Sequence, residues 1–298
     1  MKKNLHIALL GTGAVGVLPA AKFIEKEHIR LTVSADARRV ARYRRDGIFF
    51  NGRQLPLEFA CPEEMAQFPE ADLIVIATKT PALAEALENI RPLVGEKTIL
   101  LPFLNGISAS EVIKERFPDN TVLKGFFLGH ASVRENNHIT HDGVGVFYIG
   151  GVELAAVKFA EEIFRDAGID VQVPDDIISA MWKKFVLNVG VNQTQAVFKA
   201  DYGAVQNSPA LLDYAKNLML EAVLIAQAEK VAGTESMVAD ALKVIHEMPG
   251  NVKTSMLQDV LADRATEVDA FAGTICTKAA KYNIPVPFNS EVLAKLKR

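Results

Sequence analysis

Along the first half of the chain, short continuous apolar runs alternate with segments patterned at helical spacing. The runs "LHIALL" (5–10), "IRLTVSA" (29–35), "ADLIVIAT" (71–78), "EKTILLPF" (96–103) and "NTVLKGFF" (120–127) read as strands. Near-continuous hydrophobicity marks strands covered on both faces, as in a parallel sheet. Between them, "AVGVLPAAKFIEKE" (14–27) and "TPALAEALENIRPLV" (80–94) carry a helical period. Strand, helix and strand in repetition predict a doubly wound α/β sheet. From about Val173 the texture changes: 176–199, 209–231, 236–247 and 266–283 read as helices, and strand-like runs nearly vanish. In the joint "IDVQVPDDI" (169–177), Pro174 and two aspartates match a strand end and a helix N-cap. The chain therefore divides, in this reading, into an α/β domain over 1–174 and an all-α domain over 175–298.

Composition narrows the classes. A chain of 298 residues, 49% hydrophobic and 23% charged, has ample material for a buried core. Its formal charge of −3 argues against a polyanion-binding protein, so no nucleic-acid partner is expected. The basic run "RRVARYRR" (38–45) is most simply a solvated helix face. No apolar stretch approaches the ~20 residues needed to span a bilayer, so no membrane partner is expected either. The opening "MKKNLHIALLGTGAVG" mimics a signal peptide, but it breaks into a glycine turn after Leu10 and lacks a small-residue cleavage site. Cys61 and Cys276 are far apart and lack metal-ligand spacing, which predicts unpaired thiols, no metal and a cytoplasmic setting.

Chemistry enters at the first turn. "GTGAVG", Gly11, Thr12, Gly13, Ala14, Val15 and Gly16, follows a strand and opens a helix. Gly11 permits the tight turn, Gly13 lets the backbone approach a pyrophosphate, and Gly16 lets the helix pack closely on the strand. The helix N-terminus then offers unpaired N–H groups and partial positive charge to phosphates. Asp36 follows Gly16 by twenty residues, where a carboxylate accepts from the adenosine ribose diol and repels a 2′-phosphate. Arg38 and Arg39 could instead clamp that phosphate. The balance leans to NADH over NADPH, and both stay open.

A second pattern lies in "AMWKKFVLNVGVNQTQ" (180–195), where Lys184, Asn188 and Asn192 recur at steps of four in an apolar helix. At about 100° per residue they share one narrow sector, bordered by Leu187 and Val191 on one side and by Met181 and Phe185 on the other. Lys183 lies elsewhere and reads as the solvated lysine. Polar groups embedded in apolar surface persist when something hydrogen-bonds them, either a neighbouring helix or a ligand. The line is thus either a structural polar seam or a catalytic wall. A partly desolvated lysine beside a nicotinamide could protonate a carbonyl oxygen as hydride reaches the carbon. "KTSMLQDVLADRATEVDAFAG" (253–273) adds Ser255 and Glu267; Glu267 also reads as a capping-box acid, and Asp269 as a solvated one. Lys79 and Asn105 follow predicted strands, at the ends where α/β sheets bind ligands.

Together these residues resemble the ketopantoate reductase (2-dehydropantoate 2-reductase) family nearly end to end. The likeness is carried by GTGAVG (11–16), "TK" (78–79), "NG" (105–106), "HDGVGVFYIG" (141–150), "MWKKFVLNVGVN" (181–192), "SMLQD" (255–259), "TEVD" (266–269) and "YNIPVPFN" (282–289). It implies a Rossmann domain followed by a helical substrate-binding domain of the 6-phosphogluconate dehydrogenase C-terminal type. It implies NAD(P)H reducing the 2-oxo group of ketopantoate to pantoate, with Lys184 as general acid and Glu267 positioning the substrate hydroxyl. Asn188, Asn192, Asn105 and Ser255 then meet the substrate, Lys79 and Asn105 the cofactor. The partner is a small-molecule 2-oxo acid, and a homodimer is left open. Asp36 stands where the family typically has an arginine, Leu104 where it often has glutamine, and Tyr202 and Val252 where some members have asparagines. The alternatives are an NADH-dependent reductase of another branched or aromatic 2-oxo acid and a non-catalytic dinucleotide sensor. A 3-hydroxyacid dehydrogenase is disfavoured because the pattern D-x-P-V-S-G is missing.

Overall fold

The computed structural model describes residues 4–129 and 132–297; Lys2 and Lys3, the charged start of the signal-like opening, lie outside them. Contacts group the chain into two compact units, Met1–Asn105 with Ala109–Ile177, and Gly106–Ser108 with Ile178–Arg298.

The first unit is built on six parallel strands: β1 (Leu5–Leu10), β2 (Ile29–Ser34), β3 (Glu58–Ala60), β4 (Leu73–Ile76), β5 (Ile99–Pro102) and β6 (Thr121–Val122). Their order is β3-β2-β1-β4-β5-β6. Every residue of β1, β4 and β5 is buried, which is why these strands read as unbroken apolar runs. The chain first winds outward from β1 through β2 to β3, then returns to pair β4 with the other side of β1, Leu10 opposite Ile76. That reversal of direction is where open α/β sheets leave a crevice at their carboxyl ends. Helices α1 (Val17–Phe23), α2 (Ala37–Asp46), α3 (Leu83–Asn89), α4 (Ala109–Arg116) and α5 (Leu154–Asp166) accompany the sheet. One core packs Ile7, Leu9, Phe23 and Val33 with Phe147 and Phe164; another packs Ala8, Leu10, Ile74 and Ile76 with Leu87 and Ile113.

One expectation changes here, and one strand was not expected. "NTVLKGFF" is two strands, not one: β6 closes the parallel sheet, Leu123 turns with its N–H donating to Leu100 O, and β7 (Lys124–Gly129) pairs antiparallel with β8 (Gly145–Gly150). The edge strand β3 is only three residues long, too short for any periodic signal. The basic run behaves as expected: Val40 and Tyr43 are buried, while Arg38, Arg39, Arg42, Arg44 and Arg45 are exposed.

The second unit is helical among its described residues: α6 (Ile177–Phe198), α7 (Tyr202–Asn207), α8 (Pro209–Ala228), α9 (Met237–Glu247), α10 (Ser255–Leu261), a π-helical turn (Asp269–Gly273), α11 (Thr274–Tyr282) and α12 (Pro287–Leu296). Ser208 and Pro209 start α8 with a side-chain cap and an N1 proline, and Asn283 ends α11 in the left-handed conformation. The segment expected as one helix over 266–283 begins instead with the π turn. The protein thus pairs a parallel-sheet α/β unit with an all-α unit. Among the described residues, no helix is long and apolar enough to cross a membrane.

Candidate active site

The glycine turn sits at the carboxyl end of β1, and its three glycines differ in role. Gly11 has φ +90°, and a Cβ there would lie 2.6 Å from Ala77 O. A Cβ on Gly16 would overlap Gly11 O and crowd Ala77. Both are therefore fixed by the fold. At Gly13, the nearest atom to an added Cβ is Arg134 Nη1, 3.9 Å away. Its glycine has no packing reason, and a backbone left open there fits the close approach of a pyrophosphate. Thr12 is buried, Ala14 is exposed and Val15 is half-buried. Arg134 Nη1 donates to Thr12 O (3.2 Å), which brings a cation from a distant hairpin over the turn.

Beside the turn lies a cavity lined by Gly11, Thr12, Ser34, Asp36, Arg39 and Tyr43, with Thr78 and residues of α3. Asp36 is the N-cap of α2: Arg39 N donates to its Oδ1 (2.8 Å), and Arg39 Nε lies 3.3 Å from Oδ2. The carboxylate is thus shared between helix end and guanidinium, with Oδ2 still able to accept more than one bond. Arg39, not Arg38, lines the cavity. Tyr43, one helical turn beyond Arg39, joins it and was missed by the sequence reading, although the period of α2 places both on one side. Gly13, Ala14, Val15, Gly16, Arg38, Lys79 and Asn105 do not line this cavity. Lys79 is exposed just before a 3₁₀ turn (Thr80–Ala82), and Asn105 is half-buried after β5. The open backbone at Gly13 and the acceptor at Asp36 fit a dinucleotide.

In the second unit, α6 carries the polar line. Met181, Phe185 and Val191 are buried and Leu187 half-buried, so the line is flanked by apolar surface; Lys183 is exposed. Asn192 is 7% exposed, and Asn188 and Lys184 are half-buried. Loss of hydration lowers the Lys184 pKa from its ordinary value to about 8, against an opposing pull from the Glu267 carboxylate. Glu267, half-buried, precedes the π turn, and its carbonyl accepts from Ala270 N (2.9 Å) and Phe271 N (3.3 Å). Ser255 is exposed at the first position of α10, whose cap is Thr254. At the two positions where asparagine would stand in some relatives, Tyr202 N donates to Val252 O (3.2 Å), so those positions are neighbours. A lysine with a pKa near neutrality beside a carboxylate can hand a proton to an oxygen that gains charge.

Known proteins resemble the chain in family and in fold. The family profile "Ketopantoate reductase PanE/ApbA" matches residues 7–153, and "Ketopantoate reductase PanE/ApbA C terminal" matches residues 176–298. A 2-dehydropantoate 2-reductase of Vibrio cholerae serotype O1 is 27% identical over 296 residues, covering 98% of this chain and 97% of that protein. The crystal structure of 2-dehydropantoate 2-reductase from Geobacter metallireducens GS-15 superposes with TM-score 0.83 at 25% identity, covering 98% of this chain and 99% of that one. D-mandelate dehydrogenase with NADH and anilino(oxo)acetate superposes with TM-score 0.87 at 22% identity, covering 98% and 97%, a likeness of fold. Matched by both halves of its profile and along nearly all of its length by named relatives, the chain belongs to the ketopantoate reductase family of oxidoreductases.

Proposed function

We propose that the protein is a 2-dehydropantoate 2-reductase, using NAD(P)H to reduce the 2-oxo group of ketopantoate to the hydroxyl of pantoate. The observation that carries the reading is Lys184, a lysine of lowered pKa next to Glu267 and in line with Asn188 and Asn192. In this reading residues 1–174 hold the dinucleotide and 175–298 the substrate. Gly11 to Gly16 cradle the pyrophosphate, Asp36 holds the adenosine ribose with Arg39 beside it in place of the expected Arg38, and Lys79 and Asn105 add cofactor contacts. The nicotinamide, when bound, supplies hydride to C2. Lys184 donates its proton to the C2 oxygen, so that the carbonyl becomes a secondary alcohol and the lysine is left neutral. Glu267 keeps Lys184 charged in the ground state and accepts from the forming hydroxyl; Asn105, Asn188, Asn192 and Ser255 orient the substrate by its polar groups.

A second reading keeps the chemistry and changes the substrate to another branched or aromatic 2-oxo acid, reduced with NADH. Asp36 favours it, and so does the replacement of two amides by Tyr202 and Val252, which makes that neighbourhood less polar. A dinucleotide sensor without chemistry has no use for Lys184. Initial rates with NADH and NADPH against ketopantoate and a panel of branched and aromatic 2-oxo acids decide among these. Fast turnover of ketopantoate supports the first reading; turnover of another acid alone moves the protein to the second. Silence across the panel, with dinucleotide binding intact in both wild type and Lys184→Ala, leaves the sensor.

A further inference from the structure

The π turn ahead of α11 has a visible cause. In an α-helix each amide donates four residues back, so Val268 O should accept from Ala272 N. Instead Ala272 N donates to the side chain of Gln193 on α6 (3.0 Å to Oε1), and Val268 O accepts from Gly273 N, five residues on (3.0 Å). A side-chain amide inserted into the ladder has diverted one bond and widened the turn.

Gln193 is held to this task at both ends. It is fully buried; its Nε2 donates to Val189 O (2.8 Å) and to Asn289 Oδ1 (3.0 Å), which leaves Oε1 as the end facing Ala272. Asn289, also fully buried, is oriented in turn: its Nδ2 donates to Glu221 Oε2 (2.7 Å), an acceptor-only group. Glu221 is 6% exposed and accepts as well from Phe288 N (2.8 Å) and Asn289 N (2.9 Å), which fixes the start of α12. A chain of charge-assisted and neutral hydrogen bonds therefore runs from α8 through α12 and α6 into the π turn.

We infer that Gln193 is a positioning residue: by holding the turn at Asp269–Gly273 open, it carries Glu267 to its place beside Lys184. Were the turn to close into regular α-helix, the residues ahead of it would rotate by on the order of 100° relative to α11. Glu267 would then face another direction. The inference rests on reading Lys184 and Glu267 as a working pair, and its test does not need turnover.

Pulse labelling of the full-length protein with acetic anhydride from pH 6 to 10, read at Lys184 by peptide mass spectrometry, reports the titration of that amine. Exposed Lys183 serves as internal control. Wild type, Gln193→Leu, Glu267→Gln and the double variant are compared. The expected result is a Lys184 midpoint that falls in Gln193→Leu toward that of Glu267→Gln, with the double variant no lower than Glu267→Gln alone. A Gln193→Leu protein that melts earlier but keeps the wild-type midpoint overturns the inference, as do shifts that simply add. If Gln193→Leu does not fold, Gln193→Asn, too short to reach Ala272, is held to the same criterion. Failure of wild type to reduce any 2-oxo acid would remove the functional reading while leaving the coupling of Gln193 to Lys184 measured.

Discussion

An ammonium group that loses hydration without a fully compensating partner becomes a better acid, and Lys184 is placed in that condition, with a pKa of about 8. In the proposed reaction Lys184 acts in its protonated form, so kcat/KM for the 2-oxo acid should fall as pH rises through about 8, and oxidation of the product alcohol should rise over the same range. Lys184→Met should remove that limb and cost roughly 10²- to 10⁴-fold in turnover, with dinucleotide binding retained; rates across pH and cofactor titrations check both. The sign for stability follows separately. Unfolded, this lysine binds its proton up to about pH 10.5, whereas folded it releases it from about 8, so the folded form gains stability between those values and Lys184→Met should lose that gain. The glycine turn offers a cleaner pair. Gly11→Ala puts a Cβ against Ala77 O at positive φ and should destabilise the fold by ~2 kcal/mol or more. Gly13→Ala places its Cβ 3.9 Å from the nearest atom, an ordinary contact, so its melting temperature should stay near wild type while dinucleotide affinity drops at least tenfold by fluorescence titration. The polar line to which the proposed function gives the chemistry was legible because its spacing conflicts with its surroundings: three polar groups at steps of four in a greasy helix invite a reason. Gln193 was not legible. In "VNQTQ" it looks like one more amide, and only the backbone bond it intercepts, 79 positions along the chain, shows its use.

Helices and strands here owe their limits to local chemistry that the sequence displays unevenly. Asp36 caps α2 and pairs with Arg39, so one carboxylate serves helix, guanidinium and, in the proposed function, ribose. Asp36→Ser keeps a capping oxygen and removes the charge that repels a 2′-phosphate; the ratio of kcat/KM for NADPH over NADH should rise several-fold with little change in melting temperature. Glu221 is the less replaceable acid. Glu221→Ala strands two backbone donors at the start of α12, one of them fully buried, and the Asn289 amide, which should cost ~3 kcal/mol or more, read by urea unfolding. The long apolar strands and α6, α8 and α9 were readable because each carries apolar residues over many positions of its length. Several short elements were not. The strand at Glu58–Ala60 and the helices α7, α10 and α12 are set by tertiary partners such as Glu221 and Gln195, whose Oε1 accepts from Thr254 N. A stretch of three to ten residues carries too few positions to declare such a partner in advance.

At the scale of the whole chain, the two units divide the proposed labour, and ligand-dependent protection tests that division. Hydrogen exchange with saturating NADH should slow around residues 11–16 and 36–43 in the first unit, and a dinucleotide at a hundred times its Kd should add ~2.7 kcal/mol to the stability of the unit that holds it. Slowing confined to the helical unit would contradict the assignment. The division between an α/β part and a helical part was plain in the sequence, because the short strand-like runs stop near Val173 and long helical segments begin.

The position of β1 has a consequence for how the protein is made. β1 is made before both of its neighbours and lies inside the finished sheet, with β2 on one side and β4 on the other. Until residue 76 has emerged, one edge of "LHIALL" lacks its neighbour, and five apolar residues and His6, all buried in the finished fold, wait uncovered. Parallel pairings of this kind close only across long intervening loops, so they form late and leave sticky intermediates behind them. A nascent chain arrested before β4 should therefore remain open to protease and bind holdase chaperones, and one arrested beyond β5 should begin to resist. For this molecule, an early-made strand stays half-paired until β4 follows it.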